Sequence, residues 1–129
     1  MKLKVLSLVV LMFGMTSCMK TQTEGVQVLE VSKYETKLKQ PNVQLLDVRT
    51  PEEFSEGHLE NAINIDVTAE DFDAKVAGLD KEKPVMVYCK SGGRSAKASA
   101  RLKELGFKTI SDLEGGITNW KSENKPVVK

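Results

Sequence analysis

The chain has 129 residues, of which 40% are hydrophobic and 29% are charged, and its formal net charge is +1. This length supports one domain with a single core rather than two domains. The near-neutral charge, without a basic run or an alternation of aromatic and basic residues, excludes a recognisable nucleic-acid-binding surface.

The first residues have the pattern of an export signal. Lys2 and Lys4 are followed by an apolar run from Val5 to Phe13. This run is too short to span a membrane, because a spanning helix needs about 20 apolar residues. The pattern therefore predicts a signal peptide over residues 1–17.

The end of this signal resembles a bacterial lipobox, in which a lipidated cysteine becomes the first residue of the mature chain. Cys18 follows Met15-Thr16-Ser17, although Met15 and Thr16 depart from the usual residues of the box. The resemblance implies a lipid on Cys18, a polar tether over residues 18–25 and attachment to a membrane of the cell envelope on the periplasmic side. The alternative is an ordinary secretory signal with an incidental Cys18, which predicts a soluble periplasmic protein.

Strand and helix patterns alternate over residues 26–129, the predicted domain. The predicted strands are Val26–Leu29, Val43–Val48, Ala62–Ile65, Pro84–Tyr88 and Thr109–Leu113. The predicted helices are one opened by a capping box at Ser32 and Glu35, one opened by a capping box from Thr50 to Glu53, one at Thr68–Val76, one at Ser95–Leu105 and a short one bearing Trp120. A loosely packed tail from Lys121 to Lys129 is expected to follow. This alternation predicts an α/β fold with a mainly parallel five-stranded sheet and helices on both faces.

Cys89 directly follows the fourth predicted strand, where ligands of such folds bind. A thiol is a good nucleophile only as the thiolate, and a free cysteine with a pKa of about 8.5 is mostly protonated at neutral pH. Gly92 and Gly93 allow successive N–H groups to converge, Lys90 and Arg94 add positive charge, and the next helix directs its N-terminus at the loop. A purely structural, buried cysteine would explain none of these neighbours. We therefore predict a reactive thiolate.

The loop Cys89-Lys90-Ser91-Gly92-Gly93-Arg94 resembles the C-x-x-G-x-R loop of single-domain rhodanese-like proteins. Stretches elsewhere that resemble the same family are Leu45–Arg49, Glu52–Phe54, Gly57–Leu59, Ala62–Ile65 and Leu113–Trp120. The resemblance implies a single rhodanese-like domain in which Cys89 takes a sulfane sulfur from an anionic donor such as thiosulfate. The resulting persulfide then passes the sulfur to a thiol or to cyanide.

Two other functions remain open. A non-catalytic persulfide carrier or docking module would also need an intact Cys89. A cysteine phosphatase or an arsenate reductase is less favoured, because phosphatases have five residues between cysteine and arginine, whereas four separate Cys89 from Arg94. The shorter loop predicts a tighter ring of amides, better suited to a sulfur bound on the cysteine.

The predicted site has Cys89 as the catalytic residue, with substrate bound by Lys90, Ser91, Gly92, Gly93 and Arg94. Asp47 and Arg49 are expected to hold loops by hydrogen bonds and an ion pair, and Arg49 is a candidate contact for an anion on the rim. His58 is expected to be structural. No residues have metal-ligand spacing and no cofactor is predicted. The expected partners are the sulfur donor and acceptor, and the chain is expected to be a monomer.

Overall fold

A computed structural model describes residues 24–129, so the predicted signal peptide, Cys18 and most of the predicted tether lie outside the described residues. The strands are β1 (Val26–Leu29), β2 (Gln44–Asp47), β3 (Ile63–Asn64), β4 (Val85–Tyr88) and β5 (Ile110–Leu113). The helices are α1 (Val31–Leu38), α2 (Pro51–Glu56), α3 (Phe72–Val76), α4 (Gly93–Glu104) and α5 (Gly116–Ser122).

The described strands form one sheet in the order β1-β5-β4-β2-β3, and every neighbouring pair is parallel. The strand β4 lies at the centre, and all four of its residues are buried. Because parallel strands end at the same edge of a sheet, the residue after β4 emerges at the middle of the carboxyl edge. That residue is Cys89.

The core consists of two layers, one on each face of the sheet. Side chains alternate along β4, since successive residues of a strand point to opposite faces. Val85 and Val87 pack with residues of α3 and α4. Met86 and Tyr88 pack with residues of α1 and α5. The predicted α/β fold with helices on both faces of a parallel sheet is confirmed.

The helix α2 begins as predicted. Thr50 Oγ1 accepts a hydrogen bond from the Glu53 N–H (3.3 Å), and Glu53 Oε1 accepts one from the Thr50 N–H (3.4 Å). Pro51 occupies the first helical position. The capping box read from the sequence is therefore present, and it places the Glu53 carboxylate at the N-terminus of this helix.

Two other predicted helix starts are wrong. The first helix begins at Val31, where Glu30 makes no side-chain cap, and the Ser32 hydroxyl donates to the Glu30 carboxylate instead (3.1 Å). The third helix begins at Phe72 rather than at Thr68. Asp66 accepts both the N–H (2.8 Å) and the hydroxyl (2.7 Å) of Thr68, so this threonine forms a local turn rather than a cap.

The C-terminal tail is exposed along most of its length, as the predicted loose packing implies, but hydrogen bonds attach it to the domain. His58 and Val128 exchange two backbone hydrogen bonds, of 2.9 and 2.8 Å. The indole N–H of Trp120 donates to the Pro126 carbonyl (2.8 Å). A buried tryptophan needs a partner for its N–H, and the returning tail supplies it.

Candidate active site at the Cys89 loop

The Cys89 sulfur lies at the start of α4 and is held by the loop that leads into this helix. Sγ accepts a hydrogen bond from the Gly92 N–H (3.0 Å) and lies 3.4 Å from the Ser95 hydroxyl oxygen. Gly92 has φ +119°, a conformation that L side chains rarely adopt, so a glycine is needed to turn this N–H toward the sulfur. Only 1% of Cys89 is exposed.

The helix α4 begins two residues earlier than predicted, at Gly93 instead of Ser95. Gly93 and Arg94 therefore belong to its first turn, where backbone N–H groups have no partner within the helix. Gly93 has open space around it, and its φ lies outside the left-handed range. The helix N-terminus thus lies next to the sulfur, where its partial positive charge favours an anion.

The helix α5 holds the Cys89 loop by two backbone hydrogen bonds. The Ile117 N–H donates to the Cys89 carbonyl (2.9 Å), and the Thr118 N–H donates to the Lys90 carbonyl (3.1 Å). Gly116 comes so close to the loop that a Cβ at this position would lie 2.5 Å from the carbonyl oxygens of both Cys89 and Lys90. The sequence indicated only a turn at Gly115-Gly116. The consecutive glycines were the available signal for this close approach, but their partner could not be read from the sequence.

Arg94 forms an ion pair with Glu53, which joins α4 to α2. Its Nη1 lies 2.6 Å from Oε1 and its Nη2 lies 2.9 Å from Oε2, with about 30% of each side chain exposed (29% and 28%). The hydrogen bond from Arg94 is the largest influence that lowers the pKa of Glu53, to about 2. The pKa of Arg94 is raised, first of all by its hydrogen bond to Glu53. Sequence reasoning assigned Glu53 to the helix cap alone and missed this pair.

The remaining predicted loop residues face outward. The side chains of Lys90 and Ser91 are exposed. Lys90 also borders a pocket of about 160 Å³. The other residues of this pocket are Arg49, Glu53, Glu56, Gly57, Ile117, Thr118 and Lys121. The pocket therefore lies beside the loop at Lys90 and does not include Cys89 among its lining residues.

Arg49 lines this pocket and belongs to a buried network, and 4% of it is exposed. Its Nη2 donates to Asp47 Oδ2 (2.7 Å) and to the Gly57 carbonyl (2.7 Å), and its Nε donates to both Asp47 oxygens. The Tyr88 hydroxyl also donates to Asp47 (2.6 Å), and burial raises the pKa of this tyrosine. The predicted ion pair is present, whereas a contact between Arg49 and an anion stays a prediction.

His58 has contacts that suit the structural role expected of it. Its Nδ1 lies 2.9 Å from the Phe54 carbonyl oxygen, and its ring stacks on the Phe54 ring with the centroids 3.7 Å apart. Within residues 24–129, no group of three His, Cys, Asp or Glu side chains could hold a metal ion. No helix in the same part of the chain is long and apolar enough to cross a membrane.

Comparisons with known proteins agree with this architecture. The chain is 42% identical over 82 residues to YtwF of Bacillus subtilis (strain 168), covering 64% of this chain and 77% of the relative. It is 34% identical over 88 residues to the thiosulfate sulfurtransferase GlpE of Coxiella burnetii (strain RSA 493 / Nine Mile phase I), covering 67% and 79%. The crystal structure of a rhodanese-related protein from Thermoplasma volcanium matches with a TM-score of 0.70 at 35% identity, covering 79% of this chain and 97% of the other.

A family model matches the same part of the chain. The model described as "Rhodanese-like domain" matches residues 30–123. This range extends from the start of the first helix to the end of the last, and it contains the whole Cys89 loop. The chain belongs to the rhodanese-like domain family.

Proposed function

We propose that the protein is a sulfurtransferase that carries a sulfane sulfur on Cys89. The proposal rests above all on one observation: the Cys89 sulfur accepts the Gly92 N–H at the N-terminus of α4. A negative charge on the sulfur is favoured there, because an N–H donor and the helix dipole both point at it. The family membership and the name of the GlpE relative support the same assignment.

The proposed reaction is a two-step exchange through a covalent intermediate. The Cys89 thiolate attacks the outer sulfur of a donor such as thiosulfate, the sulfur–sulfur bond of the donor breaks, and sulfite leaves with the bonding electron pair. Cys89 then holds a persulfide. A thiolate or cyanide attacks the outer sulfur, and the Cys89 thiolate is released. Neither step requires a general base if the Cys89 thiol, and the acceptor thiol where a thiol is the acceptor, are already deprotonated.

The charges around the loop suit an anionic donor only in part. Lys90 is exposed beside the cysteine, whereas Arg94 is neutralised by its pair with Glu53. A donor anion that binds Arg94 must therefore compete with this carboxylate. We infer that Glu53 holds the guanidinium in place at the loop and limits how strongly the site attracts small anions. The same competition counts against a phosphatase, which needs its arginine free for the phosphoryl group.

Steady-state sulfur transfer from thiosulfate to cyanide is the test of the proposed enzyme. We expect turnover by the protein and none by Cys89→Ser, which keeps a small polar side chain but has no thiolate. A protein that takes up sulfur on Cys89 without turning over would instead be a persulfide carrier. Release of phosphate from an aryl phosphate, dependent on Cys89, would contradict the sulfurtransferase proposal.

Arg94→Ala is expected to lower kcat/KM for thiosulfate about 10- to 100-fold, since a hydrogen bond to a charged group contributes about 1.5–3 kcal/mol. The fold should remain, because a partly exposed ion pair contributes about 1 kcal/mol or less.

Glu53→Gln keeps the helix cap and releases Arg94, so we expect KM for thiosulfate to fall. Lys97→Ala removes an exposed cation of the same helix as a control. Unchanged donor kinetics in a folded Arg94→Ala variant would exclude Arg94 as a substrate contact.

We further propose that the chain is exported and anchored in the cell envelope by a lipid on Cys18. The N-terminal pattern supports this proposal, and a lipidated Cys18 would leave Cys89 without an intramolecular disulfide partner. Mass spectrometry of the protein from a membrane fraction should then find a mature chain that begins with an acylated Cys18. A mature chain with a free Cys18 would contradict the anchor.

A further inference from the structure

A buried carboxyl group lies in the layer of the core that contains the reactive sulfur. Asp112 belongs to β5, next to Val87 of β4 in the parallel register, and only 4% of it is exposed. Since side chains alternate along a strand, Asp112 points to the same face as Ile110, which packs in one layer with Cys89. The helix α4 covers this face.

The Asp112 carboxyl is poorly compensated for its burial. Its Oδ1 is buried without a hydrogen-bond partner. Burial is the main influence on the group and raises its pKa to about 6, although hydrogen bonds from the Ser95 hydroxyl and the Leu113 N–H act in the opposite direction. The mechanism proposed above gives this carboxyl no role.

Ser95 lies next to the sulfur, and its hydroxyl is one of the groups that hydrogen-bond to the Asp112 carboxyl. Its side chain is buried, and its Oγ lies 3.4 Å from Cys89 Sγ and 3.2 Å from the Gly92 carbonyl oxygen. A hydroxyl has one hydrogen to donate. The sulfur, the Gly92 carbonyl and the Asp112 carboxylate therefore compete for the same hydrogen.

We propose that Asp112 is a positioning residue for Cys89. The protonation state of Asp112 controls whether the Ser95 hydroxyl donates a hydrogen bond to the Cys89 sulfur. An ionised Asp112 attracts the Ser95 hydrogen, since a carboxylate is a strong acceptor, and the thiolate is left with the Gly92 N–H. A protonated Asp112 carries its own hydrogen and leaves that of Ser95 for the thiolate. The proposal rests on the proposed use of Cys89 as a nucleophile.

The surroundings of Asp112 contain hydroxyl groups rather than a compensating cation. The helix α4 presents Ser95 and, one turn further on, the buried Ser99. The paired residue on β1 is the apolar Val28. Tyr34 packs on the opposite face of the sheet, where burial and then the charge of Asp112 raise the pKa of this tyrosine. Cys89 is a titratable group in the same layer.

The sign of the effect follows from these states. With a folded-state pKa of about 6, against an ordinary value of 3.8, Asp112 is protonated below pH 6 and ionised above it. In the folded protein, Asp112 loses its proton as the pH rises through 6. The hydrogen bond from the Ser95 hydroxyl to the Cys89 sulfur weakens over the same pH range. Asp112→Asn is neutral at every pH, so it should keep the sulfur more reactive at neutral and alkaline pH.

The test is the pH dependence of alkylation of Cys89 by iodoacetamide, followed on the Cys89 peptide by mass spectrometry. This assay needs no sulfur donor, so it is independent of whether the protein transfers sulfur. We expect Asp112→Asn to move the pH midpoint of alkylation down by about one unit, a tenfold change in the proton equilibrium, as the gain of a hydrogen bond to a charged sulfur predicts. Ser111→Ala changes a buried residue of the same strand on the opposite face and should leave the midpoint unchanged.

A second comparison decides whether the effect passes through Ser95. In a Ser95→Ala background, Asp112→Asn should no longer move the midpoint. An equal shift with and without Ser95 would overturn the proposal in favour of direct repulsion between the two charges. An unchanged midpoint in the single Asp112→Asn variant would overturn it outright. Urea unfolding establishes that each variant is folded before it is alkylated.

Discussion

Arg49→Ala is expected to destabilise the folded protein by about 3–5 kcal/mol, because it leaves the fully buried Asp47 carboxylate without its cation. The Tyr88 hydroxyl and the Arg49 N–H would still donate to Asp47, but neither carries a positive charge. Urea unfolding at pH 7 measures the loss. Arg94→Ala is the matched control, since its ion pair is partly exposed and should contribute about 1 kcal/mol or less.

The same variant tests the predicted anion contact of Arg49. If the folded fraction of Arg49→Ala keeps the wild-type KM for thiosulfate, the residue acts through stability alone. A destabilisation no larger than that of Arg94→Ala would contradict the account of the buried network.

Gly116→Ala is expected to lower both stability and the reactivity of Cys89. Gly116 has φ +61°, where an L residue is strained by about 1–2 kcal/mol. The new Cβ would also lie 2.5 Å from the backbone oxygens of Cys89 and Lys90, so the loop itself must move. We expect a loss of at least about 2 kcal/mol in the free energy of unfolding, together with slower alkylation of Cys89.

Gly115→Ala separates these two causes. Gly115 has a similar φ, +73°, but its Cβ would meet Asn119 rather than the loop: the Asn119 amide group can rotate away, and the Asn119 Cβ, 2.9 Å from the new atom, has to shift slightly. This control should show the backbone strain without the displacement of the loop, and Cys89 should be alkylated at the wild-type rate. Equal effects of the two substitutions on alkylation would show that contact between α5 and the loop does not control the sulfur.

The architecture was predictable because its signals are local. The apolar residues from Val85 to Tyr88, followed by Cys89 and two glycines, indicate a buried strand that turns into a helix. Parallel order then places Cys89 at the carboxyl edge of the sheet. The capping box at Thr50 and Glu53 is equally local, since its hydrogen bonds join residues three apart.

The rest of the site depends on residues far apart in sequence. Arg94 and Glu53 are separated by 41 positions, and nothing in either motif indicates that they pair. Asp112 lies in a strand whose sequence does not indicate that its carboxyl is buried. The start of α4 was misplaced because Gly93 is a poor helix former in isolation, whereas here it occupies the first turn. Tertiary packing decides all three features.

The central claim is that Cys89 accepts a sulfur atom. The most direct test is the mass of the purified protein before and after incubation with thiosulfate, followed by mapping of the modified peptide. We expect a gain of about 32 Da on the peptide that contains Cys89, reversed by cyanide or a thiol, as a persulfide requires. The Cys89→Ser variant should gain nothing. A folded protein whose Cys89 reacts with iodoacetamide but gains no sulfur from thiosulfate or from a persulfide donor would contradict the account.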